Sequence, residues 1–249
     1  EDDGDDVKRV AIDGFQTDTW TDMACDFIRD RADREDPFAL FVSFSTPHDP
    51  WTPENLPEGF YERFADVAFP HPPNFREAPD RYADRMNGEE EWQAWKDKLE
   101  DARRCYYAMV SHLDEKIGQI LSALEASGQE DNTVFVFTSD HGEMFGAQGR
   151  VFKTTFYDEA VRVPFLVRWP GHTPSGGECD ACLNTPDIAP TLLGLLGLPP
   201  PVEAEGMDLS HGVLGEAGPE PEFAFLQGMG HTFRWIDGFE WRSVRTKRY

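Results

Sequence analysis

Residues 135–144, Phe-Val-Phe-Thr-Ser-Asp-His-Gly-Glu-Met, run an apolar strand straight into Asp140, His141, Gly142 and Glu143. A carboxylate at a strand end can aim into a crevice and bind a cation, and the adjacent imidazole can add a neutral nitrogen. Two such groups are too few to hold a metal ion, so further ligands would have to come from elsewhere. The same pair has a blander reading, with Asp140 capping the turn and His141 an exposed loop residue. Lys153 follows twelve residues after His141 among mostly uncharged neighbours. It could meet an oxyanion as a point charge, or simply snorkel along the surface. His48 sits between Pro47 and Pro50, whose fixed φ stiffens the backbone. A stiffly held histidine can donate to an oxyanion or protonate a leaving group. Alternatively it packs under Trp51 as a satisfied ring. Asp158, Glu159 and Arg162, at one-turn spacing, read as an ion-pair network that positions the Lys153 loop.

The elements that must carry these residues follow from hydrophobic periodicity. Residues 17–34 read as an amphipathic helix with Trp20, Met23, Ala24, Phe27 and Ile28 on one face and Thr17 or Asp18 as cap. The nearly continuous apolar run 38–44 reads as a strand covered on both faces, stopped by the prolines of Ser-Thr-Pro-His-Asp-Pro-Trp-Thr-Pro. Residues 50 to about 90, aperiodic and rich in proline, aromatics and charge, read as a long excursion over one end of the sheet, functional by its length. Helical period returns from Trp92 to Ala126, with Gly128 as the stop. Residues 133–140 and 163–169 read as further strands, and residues 185–198 as a short helix with Thr185 as cap and Pro186 at its first position. Short strands are expected near Phe-Ala-Phe-Leu-Gln and Glu-Trp-Arg-Ser-Val-Arg-Thr in the tail. The order strand (38–44), long helix, strand (133–140) is a βαβ unit and predicts parallel pairing. The chain is α/β, with a mostly parallel sheet flanked by helices. Ligands of such sheets bind beyond the carboxyl ends of the strands. Parallel strands would therefore bring His48 and Asp140-His141 to one edge.

Composition bounds the partners. A net charge of −24 over 249 residues opposes nucleic acid and anionic membrane surfaces by long-range repulsion. No apolar run reaches the ~18 residues of a membrane span. Cys25, Cys105, Cys179 and Cys182 are too few for a disulfide scaffold. The Cys179–Cys182 spacing has half of a zinc ribbon with no second pair, and the cysteines read as structural or incidental. The chain opens on Glu-Asp-Asp-Gly-Asp-Asp without an initiator methionine and ends in mid-pattern at Trp-Arg-Ser-Val-Arg-Thr-Lys-Arg-Tyr.

Four segments, in order, together resemble the second half of a sulfatase of the alkaline phosphatase superfamily. They are FALFVSFSTPHDPWTP, TSDHGEMFGAQGRVFKTTFYDEAVRVPFLVRWPG, NTPDIAPTLLGLLGL and EWRSVRTKRY. The resemblance implies that Asp140 and His141 are two ligands of a single divalent cation. It implies that Lys153 binds the sulfate oxygens, and that His48 contacts the sulfate or bridging oxygen and assists the leaving group. Many members use calcium and carry Asn at the position of His141. Calcium prefers oxygen ligands, so His141 keeps manganese and magnesium open. Where relatives often have Gly-Asp-His, this chain has Gly146-Ala147-Gln148. The family's nucleophile is a formylglycine made from the Cys or Ser of a Cys/Ser-x-Pro/Ala-x-Arg motif, and no such motif occurs in these 249 residues. The expectation is a partial domain: residues 1–200 as the C-terminal part of the catalytic α/β domain, residues 201–249 as the loop-rich start of a C-terminal subdomain, and the nucleophile upstream of Glu1. The piece alone is expected to be inactive. The implied substrate is a small-molecule or carbohydrate sulfate ester.

Two rivals remain at this stage. A phosphodiesterase or phosphonate monoester hydrolase of the same superfamily shares the Asp-His-Gly motif. Added cations near Lys153 would favour phosphate, and Arg150 is the nearby candidate. A non-catalytic module that kept the superfamily sheet for binding is the other.

Overall fold

The computed structural model describes residues 12–81, 88–228, 230–231, 234–235 and 240–248. They fall into two compact units. One holds the described residues up to His71 together with Asp97–Glu130; the other holds Pro72–Lys96 and the described residues from Asp131 onward.

The first unit is built on helix α1 (Gln16–Asp30) packed against a long helix of the 97–130 segment. The expected helix from Trp92 to Ala126 is broken into α2 (Gly88–Trp95), a 3-10 turn at Lys96–Lys98 and α3 (Leu99–Ala126). The break falls where the chain passes from one unit to the other. Helix α1 buries Thr21, Ala24, Cys25 and Ile28 at 3–4-residue spacing, and α3 buries Ala108, Met109, Leu113 and Ile120. Each fully buried Ile or Leu contributes roughly 1.5–3 kcal/mol. Gly128, with φ +72°, donates its N–H to the Glu125 carbonyl and ends α3 as anticipated. Neither Thr17 nor Asp18 caps α1: the cap residue is Phe15, without a side-chain bond. Asp18 is drawn to α3 instead, where Lys116 lies 2.7 Å and His112 Nε2 3.0 Å from its Oδ1. Burial would raise the Asp18 carboxyl, but the hydrogen bonds from Lys116 and His112 outweigh it and hold it below the ordinary carboxylate range.

Residues 38–44 do not form the expected strand. The run has no ladder partner among the described residues, and Phe41 is 88% exposed. An apolar run becomes a strand only when a neighbour meets its N–H and C=O groups, and its composition does not name that neighbour.

The second unit carries strands β1 (Phe135–Thr138) and β2 (Phe165–Arg168), paired antiparallel with Phe135 opposite Arg168 and Thr138 opposite Phe165. The pairing of residues 133–140 thus differs from the parallel crossover expected with 38–44. The connection from Thr138 to Phe165 holds the site loop and the one-turn helix α4 (Asp158–Val161), and so returns on itself. Helix α5 (Thr185–Leu195) starts one residue earlier than a Thr185 cap requires, so Pro186 is its second residue. Asn184 is the cap, in a reciprocal box with Asp187. Asp187 also accepts the Met207 N–H at 2.7 Å, and Thr191 accepts that of Leu209, which docks the short helix α6 (Ser210–Val213) onto α5. The two expected tail strands appear as β3 (Ala224–Gly228) and β6 (Trp241–Arg245), and between them lie two short strands that the sequence reading did not anticipate, β4 (Gly230–His231) and β5 (Arg234–Trp235). Strand β3 pairs antiparallel with β6, and β4 with β5. No described helix is long and apolar enough to cross a membrane. The four cysteines are thiols, Cys25 and Cys105 buried; burial pushes the Cys105 thiol up to about 11.

Candidate active site

Strand β1 ends at Thr138, whose hydroxyl donates to the Pro164 carbonyl at 2.9 Å, and the chain then turns through Ser139, Asp140 and His141. Asp140 Oδ1 accepts the His141 N–H at 2.9 Å and the Ser139 hydroxyl at 3.3 Å. Its side chain is 83% exposed, and Oδ2 lies 3.4 Å from His141 Nε2. His141 Nδ1 lies 2.9 Å from the Gly142 carbonyl oxygen. A carbonyl only accepts, so Nδ1 carries a proton, which leaves Nε2 as the nitrogen that a cation would use. Two donor atoms on one cation, each about 2.2–2.4 Å away and near a right angle, sit roughly 3.1–3.4 Å apart. The 3.4 Å spacing of Asp140 Oδ2 and His141 Nε2 is compatible with two donors on one cation, and equally with a direct Asp–His contact. No third His, Cys, Asp or Glu joins this pair among the described residues.

Gly142 is needed on steric grounds. A Cβ there would lie 2.0 Å from the Glu159 carbonyl oxygen, and the Gly142 N–H donates to Ala160 at 2.8 Å. The turn is thereby seated on α4, where Met144, Ala147 and Ala160 form an apolar cluster with Tyr157 and Val161. Ala147, at the middle position of the departure from Gly-Asp-His, is fully buried in that cluster, and Gln148 beside it is part-buried.

Between Glu143 and Tyr157 the chain folds into a loop held from inside. Glu143 Oε1 accepts the N–H of Phe152 at 2.5 Å and of Phe145 at 3.4 Å. Burial pushes its carboxyl up to about 7, against the lowering effect of those N–H groups and of the Lys153 charge. Phe145, Gln148, Phe152 and Thr154 all have positive φ, so Lys153 stands between two left-handed residues, each at φ 67°. Such conformations cost about 1–3 kcal/mol each and persist where the surroundings impose them. Lys153 is part-buried, and its charge acts on Glu143 and on Glu91 of α2.

Those surroundings include residues that sequence reasoning missed. Asp80, from the aperiodic excursion, is buried against this loop. Its Oδ2 lies 3.3 Å from Arg150 Nη1 and its Oδ1 accepts from Tyr157 Oη at 3.2 Å. The pair is sealed, with the Arg150 side chain 2% and the Asp80 side chain 1% exposed. Arg150 is therefore not a cation available to a substrate. No sequence signal marks Asp80. Glu143 could have been noticed as an acid inside the otherwise apolar run that follows Gly142. The presumed network of Asp158, Glu159 and Arg162 resolves differently: Asp158 pairs with Arg245 at 3.1 Å, and Glu159 accepts from Asn74 at 2.6 Å.

His48 belongs to the first unit. Its side chain is half-exposed, and Nδ1 lies 2.9 Å from the Asp49 carbonyl and 3.0 Å from its carboxylate. Both oxygens accept, so Nδ1 is a protonated nitrogen. Trp51 is buried, but its indole donates to the Pro47 carbonyl at 3.0 Å and its ring meets Tyr106 edge-on. The structure brings Asp140 and His141 together and places Lys153 in the same unit.

Nearly all of the chain is similar to solved hydrolases. It matches YidJ, a sulfatase of Bacteroides fragilis, with a TM-score of 0.76 and 27% identity, covering 95% of this chain and 48% of that one. It matches the phosphonate monoester hydrolase of Agrobacterium radiobacter with a TM-score of 0.74 and 28% identity, covering 96% and 53%. The fold is that of the alkaline phosphatase superfamily of hydrolases. An ulvan-active sulfatase of Formosa agariphila is 33% identical over 238 residues, 90% of this chain and 41% of that protein. Residues 4–198 match the Sulfatase family model, and the chain belongs to that family. It spans about half the length of these relatives.

Proposed function

We propose that this chain is part of a sulfatase that hydrolyses sulfate esters of a carbohydrate or small molecule. The observation that carries this is the convergence of Asp140 Oδ2 and His141 Nε2, 3.4 Å apart, at the end of β1 in a sulfatase-family chain. Residues 1–200 would belong to the catalytic domain and residues 201–249 to the start of a C-terminal subdomain. Sulfatases employ a divalent cation, which polarises the ester and the nucleophile, and a formylglycine nucleophile, assigned here to sequence preceding Glu1. Asp140 and His141 would hold the cation, with calcium, manganese and magnesium all compatible with one oxygen and one nitrogen. Lys153 would face the sulfate oxygens and offset charge that builds on the transferred group. His48, protonated, would donate from Nε2 to the departing oxygen. The sugar class is suggested by the name of the ulvan-active relative.

The likeness to a phosphonate monoester hydrolase keeps one alternative alive. Against it stands the match of residues 4–198 to the Sulfatase family model, and Arg150, locked to Asp80, adds no second cation beside Lys153. A competition assay on the full-length protein, with aryl sulfate and aryl phosphodiester together, tests the assignment. Preferential sulfate release, lost on chelation and restored by calcium, manganese or magnesium, is expected; preferential cleavage of the phosphodiester would sink it.

A further inference from the structure

We propose that Asp80 is a positioning residue for Lys153, acting through Arg150 and Tyr157; this rests on the assignment of Lys153 to the sulfate oxygens. Arg150 lies three residues before Lys153 and Tyr157 four residues after it. One oxygen of Asp80 engages each of them, at 3.3 and 3.2 Å, so a single carboxylate holds both ends of the segment that carries the lysine. The backbone of the same segment repeats the attachment. Gln148 N–H donates to the Asn74 carbonyl at 2.9 Å, Asp80 N–H donates to the Gly149 carbonyl at 3.3 Å, and Phe75 bridges Ala147. The two strands of chain meet so closely that a Cβ on Gly149 would lie 2.1 Å from the Ala78 carbonyl oxygen.

Stability alone does not account for this pair. A buried ion pair recovers little more than its own desolvation, and an apolar pair of the same volume would serve as well or better. What the carboxylate adds is direction. It fixes where Arg150 and Tyr157 sit, and between them Phe152 and Thr154 are kept in left-handed conformations that an untethered chain would leave. A lysine on a relaxed loop would still carry its charge, but at the wrong distance from the transferred group. Misplacement of about 1 Å is enough to cost on the order of 100-fold in rate.

The test is a double-mutant cycle in the full-length protein, read as kcat and KM for an aryl sulfate. Asp80→Asn keeps the volume and is expected to lower kcat about 10- to 100-fold with KM little changed. In a Lys153→Ala background the same change is expected to cost nothing further. Because Asp80→Asn leaves Arg150 buried without its partner, Tyr157→Phe serves as the milder variant, with about a 3- to 10-fold loss that likewise vanishes without Lys153. Losses that multiply with Lys153→Ala, or no loss in either variant, would overturn the proposal. If the unmutated protein shows no sulfatase turnover, the functional assignment fails, and hydrogen exchange decides on the tether itself. Amides 146–152 are expected to exchange about tenfold faster in Tyr157→Phe, and unchanged exchange would again overturn it.

Discussion

The loop from Asp140 to Tyr157 and the loop around His48 are held in opposite ways. The first is tied by residues far away in sequence, Asn74, Phe75 and Asp80, and by the Gly142 N–H donating to the Ala160 carbonyl. The second is tied largely by its own neighbours. His48 N–H donates to Ser45, Trp51 Nε1 to Pro47, and Asn55 to Pro50, with the Thr17–Thr46 hydroxyl contact at 2.7 Å as a longer tie. The difference suits the chemistry assigned to each. A turn that holds a cation and a lysine that meets an anion, as proposed for the first, need fixed positions, whereas a proton donor, as proposed for the second, can tolerate a half-exposed ring on a locally tied loop.

The comparison breaks first at the metal turn. In the full-length protein Asp140→Ala is expected to remove about 10³-fold or more of activity, with weaker cation binding by calorimetry; retained affinity for the cation would refute the ligand assignment. Next, Gly142→Ala forces a Cβ into the Glu159 carbonyl and is expected to cost about 3 kcal/mol in denaturant unfolding, together with activity. His48→Gln should do the reverse, leaving the unfolding midpoint unchanged while lowering kcat about 100-fold for esters with poor leaving groups. An equal loss for strongly activated aryl esters would argue against proton donation. The smallest effect lies away from both loops, at Asp18. Its depressed carboxyl contributes stability that is present above the ordinary carboxylate pKa and lost as pH falls through the lowered folded value. Asp18→Asn is therefore expected to cost about 1 kcal/mol at pH 7 and almost nothing near pH 2; a gap that persists in acid would count against the Lys116 and His112 bonds as its source.

Much of the site was legible from local pattern. The first helix, expected over 17–34 and found at 16–30, the stop at Gly128, the strand before Asp140 and the two tail strands follow from periodicity and turn residues within a short window. Family resemblance then attached roles to Asp140, His141, Lys153 and His48. What stayed hidden depends on contacts across sequence. The run 38–44 has the composition of a covered strand, but pairing is a property of a neighbour, not of the run. Asp80 lies in an aperiodic segment where one acid among many, in a chain with 47 acidic residues, carries no mark. Arg150 reads from its position as a substrate cation, and only burial reveals it as a structural one. Likewise the caps at Phe15 and Asn184 displaced the better-looking candidates by one or more residues, because Asp18 is engaged by α3 and Asn184 completes a reciprocal box with Asp187.

The left-handed residues at Gln148 and Thr154 carry a consequence for directed evolution. Glycine at either position would escape the steric penalty of positive φ, a gain of about 1–2 kcal/mol reduced by glycine's greater backbone freedom in the unfolded chain. A selection for heat tolerance alone would therefore find glycine there. Each such gain would loosen the segment that presents Lys153, so thermostable descendants are expected to be slower catalysts unless turnover is selected alongside survival.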